Sequence, residues 1–277
     1  MSIHPGGPAF AQWVAAARLR AQRPPQQPRQ PLLAAGQLVG SVAEGFLDEN
    51  RLMSLLNNGL MLLKEEREGV LAWHLQVPAD EVTPALNVLA ATLRDEGLCG
   101  PWRDEQLAVC NPAGEVVGTI ERGAVRVLGI ATRAVHLVGQ SPDGHIWVQK
   151  RSMSKPHNPG QWDTLMGGMV SAADTLDQAL ARETWEEAGL RVERLHGLTH
   201  GGHVLFSRPS SEGQGAGFMV ERIDWFSAVV PQGMQPDNQD GEVELFDQLS
   251  PDAVRQRVAT GGFTLEAGLV LAEFFGA

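Results

Sequence analysis

Cysteine is almost absent: among 277 residues there are two, Cys99 and Cys110. A disulfide framework needs more, and their separation fits no zinc pattern, so both are expected as half-buried thiols in a reducing compartment. Long apolar runs are missing as well. None approaches the ~20 residues that cross a bilayer, which argues against a membrane partner. The N-terminus lacks a basic stretch followed by an apolar core, the mark of a secretory signal, and the cytoplasm is the expected location. Positive charge is scarce. With 22 Lys and Arg against 33 Asp and Glu, the net charge is −11, spread along the chain. Such a surface neutralises phosphate backbones poorly, so nucleic acid is not an expected partner. An acidic protein still acts on an anionic substrate where metal ions supply the positive charge locally.

The length suits two domains. Residues 8–22 read as a short amphipathic helix, and the proline-rich RPPQQPRQP stretch after it reads as a linker or extended arm, because proline lacks an amide donor. Thr83-Pro84 signals a helix start with Thr83 as cap, and Leu86, Leu89, Ala90 and Leu93 keep helical spacing up to Gly97. Two segments match each other, Gly36–Gly45 and Gly114–Gly123, and predict two equivalent strand-and-turn units paired in one small sheet. A compact α+β domain over 1–125 is expected from these signals. After it, strands at 132–139 and 145–151 flank the turn Ser141-Pro142-Asp143-Gly144. A helix near 175–188, β-rich stretches at 203–206 and 218–230, and a helix opened by Ser250-Pro251 complete a layered α/β domain over 126–277.

The stretch that carries chemistry runs from Gly167 to Leu190. Asp174 is the expected N-cap of its helix and Gly189 the terminator. Leu176, Ala179 and Leu180 define one face, and steps of three and four carry that face on to Glu183, Glu186 and Glu187. Ala181, Trp185 and Ala188 occupy the other side, so enclosure on both flanks is expected. Inward carboxylates on adjacent turns repel unless cations compensate them, and hard oxygen ligands suit Mg²⁺ or Mn²⁺. A solvated acidic helix end, with Arg182 and Glu186 paired at i,i+4, is the rival reading.

The same grammar resembles the Nudix box, G-x5-E-x7-R-E-U-x-E-E-x-G-U, with U a bulky apolar residue. Gly168, Arg182, Glu183, Glu186, Glu187, Gly189 and Leu190 match at the right spacing, while Asp174 stands in place of Glu and Thr184 in place of an apolar residue. The resemblance implies a Nudix α/β/α sandwich with a mixed sheet, preceded by the small α+β domain. It also implies a hydrolase of a diphosphate linkage. Glu183, Glu186 and Glu187, with the Gly168 carbonyl, would hold Mg²⁺ or Mn²⁺ across a small-molecule diphosphate; Glu183 and Glu186 are the catalytic carboxylates and Arg182 orients them. Glu242 and Glu244, in Asp240–Glu244 after the last strands, are candidates for the general base, with a solvated acidic turn as the alternative. The chain has three lysines. Two of them, Lys150 and Lys155, flank Arg151, and these three are candidate phosphate contacts or plain strand-end charges. Trp162 stacks on a heterocycle or packs the core. His200 and His203 read as polar strand residues rather than as metal ligands.

Beyond the box, Trp102–Glu105, Glu121–Gly123, Ala134–Leu137, Lys150–Ser152, Lys155-Pro156 and Pro159-Gly160 are similar to a two-domain Nudix subgroup. It is related to the part fused to thiamine pyrophosphokinase in some fungi. That likeness implies thiamine diphosphate, or its oxidised forms, as substrate, hydrolysed to the monophosphate and phosphate. Nucleoside diphosphate derivatives or oxidised nucleotides are the alternative, since the box is silent on the base. Isopentenyl diphosphate isomerases need a catalytic-domain cysteine, and none lies after Cys110. A non-catalytic ligand sensor is a further alternative, although sensors of this fold often lose the box acids retained here. The first domain is expected to cover the substrate or to support a homodimer.

Overall fold

The structure, a computed structural model, describes residues 7–47, 55, 59–67 and 69–277. Helix α1 spans Pro8–Ala21 and has proline in its first turn, where the missing amide would lack a partner anyway. It buries Phe10, Val14, Ala17 and Ala21 along one stripe. Strand β1 (Arg29–Ala34) and strand β2 (Gln37–Ala43) form a hairpin whose turn holds Ala35 at φ 47° and Gly36 at φ 77°. Two left-handed residues in a row match the right-handed twist of the flanking strands. Strand β3 (Leu62–Arg67) and strand β4 (Val70–Leu75) complete a sheet of order β2-β1-β4-β3, with β1 and β4 parallel.

Helix α2 (Val82–Asp95) buries Leu86, Leu89 and Leu93, and the chain leaves it through Gly97 at φ 70°. Its start corrects the expected cap. A 3-10 turn at Ala79–Glu81 already directs the chain into the helix, so Thr83 lies one residue inside and its hydroxyl accepts instead from Thr119 N. Strand β5 (Gln106–Cys110) and strand β6 (Val116–Glu121) form a second, separate hairpin. The two matching segments are therefore equivalent units, each the return strand of a hairpin, but they do not share a sheet. Their matching glycines have a common reason. A Cβ on Gly118 would come within 2.8 Å of Val82, and one on Gly40 would run into the Leu128 carbonyl.

A 3-10 turn, Arg122–Ala124, leads into the second unit. Its strands are β7 (Ala131–Gln140), β8 (Ile146–Arg151), β9 (Trp162–Asp163), β10 (Met166–Met169), β11 (His196–Pro209), β12 (Phe218–Val229) and β13 (Val243–Leu249). The sheet order is β11-β12-β7-β8-β13, with β10 on β7 and β9 on β8. The β12–β7 pair is parallel and the others antiparallel. Side chains alternate across this sheet. Ala134 and Val138 of β7 join a core with α1, α4 (Pro251–Ala259) and α5 (Leu265–Phe274), whereas Val135 and Leu137 join a core under α3 (Leu176–Ala188). The result is an α/β/α sandwich with a mixed sheet, preceded by a small α+β unit whose core runs from Leu32 to Ile130 and takes in Met169 of β10. Glu242 directly precedes β13 and Glu244 lies within it, so this acidic segment leads into a strand rather than following the last one.

The expectation of a single N-terminal unit over 1–125 is corrected for α1. Its buried stripe packs on α4 and α5, and the chain after it is stitched to β11 by Arg23 N donating to Ser207 O at 2.8 Å. Phe10 is 3% exposed in that core. Phe10→Ala is expected to cost about 3–5 kcal/mol, read by chemical denaturation; a change below about 0.5 kcal/mol would mean that α1 is not docked there. Among the described residues, no helix is long and apolar enough to cross a membrane.

Candidate active site

Helix α3 is built from the residues that the sequence singled out, with one exchange at its start. Thr175 is the N-cap, in a reciprocal capping box with Gln178, and this corrects Asp174. Asp174 lies just outside and accepts from Arg182 Nε at 2.9 Å. The helix ends at Gly189, φ 63°. Thr184 is fully buried, and its hydroxyl donates to the Leu180 carbonyl at 2.6 Å, so a polar residue is satisfied at an apolar position of the box. The second flank is enclosed only in part: Ala188 is fully buried, but Trp185 is 40% exposed and its ring carries the Arg191 guanidinium 4.2 Å away.

Three elements converge on Glu187, which is 1% exposed. Gln149 of β8 donates to it at 2.8 Å, the Gly167 amide of β10 at 3.0 Å, and Lys155, from the loop after β8, at 3.0 Å. Lys155 also contacts Glu242, so one ammonium bridges two carboxylates. Burial opposes the charge on Lys155, yet Glu187 and Glu242 hold its pKa above the usual lysine value. Burial likewise works against Glu242, and the Lys155 hydrogen bond keeps its carboxyl below the ordinary range. Glu183 lies against the Gly168 backbone and accepts from Arg182 at 2.9 Å. Its pKa is pushed up to about 8, first by burial and then by the nearby Glu187 charge, against the pull of Arg182.

Because this folded-state value is raised, the native protein binds a proton at Glu183 that the unfolded chain releases above its ordinary pKa of 4.5. The associated stability is present below that value and lost as pH rises toward about 8. In a chelator, the thermal midpoint of the wild type relative to Glu183→Gln is expected to fall across that window. A constant difference would contradict the account of the buried carboxyl.

These groups line a cleft of about 410 Å³ between the two units. Glu183, Glu187, Gly168, Lys155, Arg151 and Glu242 line it together with Arg122 and Arg126, which come from the segment joining the two units. Arg122 is anchored by Glu105 at 2.7 Å; Arg126 donates to Glu221 at 3.1 Å, and Glu221 also accepts from Thr132 at 3.0 Å. Behind Gly167 lies His136, bonded to Thr164 at 2.9 Å. Asp163 is 3% exposed and accepts from Arg151 at 3.2 Å.

Other expected site residues lie elsewhere. Lys150 is adjacent to Gln149 and Arg151, so strand alternation turns it to the opposite face, where it pairs with Glu244 at 2.9 Å. Neither is among the residues that line the cleft. Trp162 is partly buried against the α4/α5 core, with the Arg257 guanidinium 4.4 Å over its ring. Glu186 is 43% exposed and paired with Arg182 at 3.0 Å, at the rim of the site. His200 faces Asp224 at 3.2 Å. The half-buried cysteines are free thiols, and burial raises Cys99 to about 12.

The donor set fits a hard divalent cation: buried carboxylate oxygens, too much negative charge at Glu183, and a glycine backbone on which the carboxylate rests. Among the described residues, no three acidic, His or Cys side chains form a ready cage. Lys155 pairs with Glu187 and Glu242, and Arg182 with one oxygen each of Glu183 and Glu186.

The pattern of the NUDIX domain matches residues 131–265. An uncharacterised Nudix hydrolase of Streptomyces coelicolor is 30% identical over 166 residues, spanning 60% of this chain and 77% of that protein. The chain belongs to the Nudix hydrolase family. Members of this family act on diphosphate linkages and generally use divalent metals. Nudix hydrolase 20, chloroplastic, of Arabidopsis thaliana is 27% identical over 254 residues, 88% of this chain, and the chain spans 66% of that relative's length. Among solved structures, DR0079 from Deinococcus radiodurans is 23% identical with a TM-score of 0.46, covering 58% of this chain and 92% of that one.

Proposed function

We propose that this Nudix hydrolase cleaves the diphosphate of thiamine diphosphate or of its oxidised derivatives, with Mg²⁺ or Mn²⁺, releasing the monophosphate and phosphate. The observation that carries the hydrolytic part is the convergence of Glu183, Glu187, Glu242, Lys155 and the Gly168 backbone in one cleft. Support for the substrate is narrower. The Trp102–Glu105 and Glu121–Gly123 segments, on which the likeness to the thiamine subgroup rests, are joined by Glu121, which accepts from Arg103 N, Glu105 N and Gly123 N. That joint sets Arg122 into the cleft wall. The Arabidopsis relative shares both units, since its match spans 88% of the chain.

Glu183, Glu187 and the Gly168 carbonyl, with Glu186 at the rim, would hold the metal, which neutralises the departing phosphate and acidifies the attacking water when bound. Glu242 then accepts the water proton: it reaches the cleft, and Lys155 keeps it ionised. Lys155 and Arg151 bind the phosphate oxygens. Arg182 orients Glu183 and Glu186 through its own bonds to them. The N-terminal unit closes the cleft over the organic half of the substrate.

Phosphate release with Mg²⁺ or Mn²⁺ from thiamine diphosphate, its oxo form, ADP-ribose and 8-oxo-dGTP tests the substrate. Preference for the thiamine compounds is expected. Turnover of the nucleotides alone would retain the hydrolase and remove the thiamine assignment. Glu242→Gln is expected to lower kcat by about 100- to 10,000-fold while Glu244→Gln leaves it unchanged; equal losses would overturn Glu242 as the base.

A further inference from the structure

A second cavity, of about 260 Å³, opens beside the active-site cleft and shares Asn158, Arg208, Pro209 and Glu266 with it. Its charge is unlike that of the rest of the molecule. In a chain of net charge −11, its lining carries three guanidiniums, Arg20, Arg23 and Arg208, and one carboxylate, Glu266. Glu266 is taken by Arg208 at 2.7 Å, so no carboxylate in the lining is left to oppose Arg20 and Arg23. Like charges gathered in one concavity raise its potential and favour an anion there.

The gathering is built by the backbone rather than by loose side chains. Gln22 bridges to Ser207 in parallel register, Arg23 N donates to Ser207 O at 2.8 Å, and Gln22 Nε2 donates to Leu205 O at 2.6 Å. This seam sets Arg23 beside Arg208 of β11. One turn back, Arg20 lies 5.8 Å over the Trp13 ring, and Trp13 is lodged against Gly268 of α5, where a Cβ would collide with it. Asn158 and Gln161 are the uncharged polar residues of the lining. The packing of α1 on the catalytic unit, rather than on its own N-terminal neighbours, is what creates this cavity.

We propose that the cavity between α1, β11 and α5 binds an anion of the phosphate class, through Arg20, Arg23 and Arg208, as a subsite continuous with the catalytic cleft. Guanidinium groups suit this chemistry because their paired N–H donors match phosphate oxygens. Two sources supply such an anion: orthophosphate released in the cleft, or a second anionic group carried by the substrate. The binding itself stands apart from the catalytic reading, and only the assignment of the source rests on it.

The test is calorimetric titration of orthophosphate into the full chain in chelator, with thermal unfolding of each variant as a fold check. Arg20 and Arg23 are exposed, so the R20A/R23A variant is expected to fold. R18A removes a charge from the same helix outside the cavity, where Arg18 pairs with Glu273. Wild type, R18A and E187Q are expected to share a phosphate site, distinct from any contact with Lys155 and Arg151 in the catalytic cleft, that is weakened about tenfold or more in R20A/R23A. Undiminished binding in R20A/R23A, loss of binding in an E187Q protein shown to be folded, or no site in the wild type would each overturn the proposal. Should R20A/R23A not fold, R20Q/R23Q takes its place with the same expectation. In turnover assays, weaker product inhibition by phosphate in R20A/R23A assigns the released product as the source. A raised KM with unchanged inhibition assigns the substrate's own anionic group.

Discussion

Gly168→Ala is expected to lower turnover by roughly 100-fold while leaving the protein folded. The added methyl would occupy the space of the Glu183 carboxylate, which lies directly on the glycine backbone. The strand cannot yield, because β10 is paired to β7 with Gly168 opposite Val135. The carboxylate is the end of a flexible side chain, so Glu183 moves instead, and with it one oxygen donor of the proposed metal site. Activity and stability should therefore separate: kcat falls and the thermal midpoint changes little. Wild-type kcat in Gly168→Ala would mean that Glu183 does not need its place against the backbone.

Glu187→Gln removes more. Glu187 accepts from Gln149, the Gly167 amide and Lys155 at once, and an amide cannot accept from all three through both of its termini. Lys155 would keep only Glu242 as a carboxylate partner. A loss of about 1000-fold in kcat is expected, equivalent to about 4 kcal/mol of barrier, because a ligand charge and the placement of Lys155 go together. The same change removes one partner of a buried ion pair, which destabilises by about 3–5 kcal/mol at most. Circular dichroism at the assay temperature therefore has to accompany the kinetics. A folded Glu187→Gln protein with unimpaired turnover would remove this carboxylate from the site.

The sequence carries helix α3 openly, and the reason is local. Helical spacing from Leu176 through Glu187, closed by Gly189, is written within one element and needs no partner to be read. Contacts made by distant segments are not written that way. Gln149 is 1% exposed and bonds Glu187, and its only local trace is a polar residue among the apolar positions of β8. The cap at Thr175 was legible in principle, since Thr175 and Gln178 have capping-box spacing, but the neighbouring Asp174 offers an equally good cap by residue type. Helix α5 has no polar stripe to mark it: Ala267 through Ala272 are all buried, so no amphipathic period exists. The docking of α1 on α4 and α5, and the meeting of Arg122 and Arg126 with Lys155 across the cleft, are tertiary facts. Neither follows from spacing along the chain.

Metal-dependent hydrolysis through Glu187 is tested most simply by phosphate release from thiamine diphosphate by the wild type and Glu187→Gln, first in chelator and then over a Mg²⁺ titration. No turnover in chelator, saturable activation of the wild type by Mg²⁺, and no comparable activation of the variant are expected. Equal turnover with and without metal, or equal activation of both proteins, would exclude metal-dependent hydrolysis through Glu187.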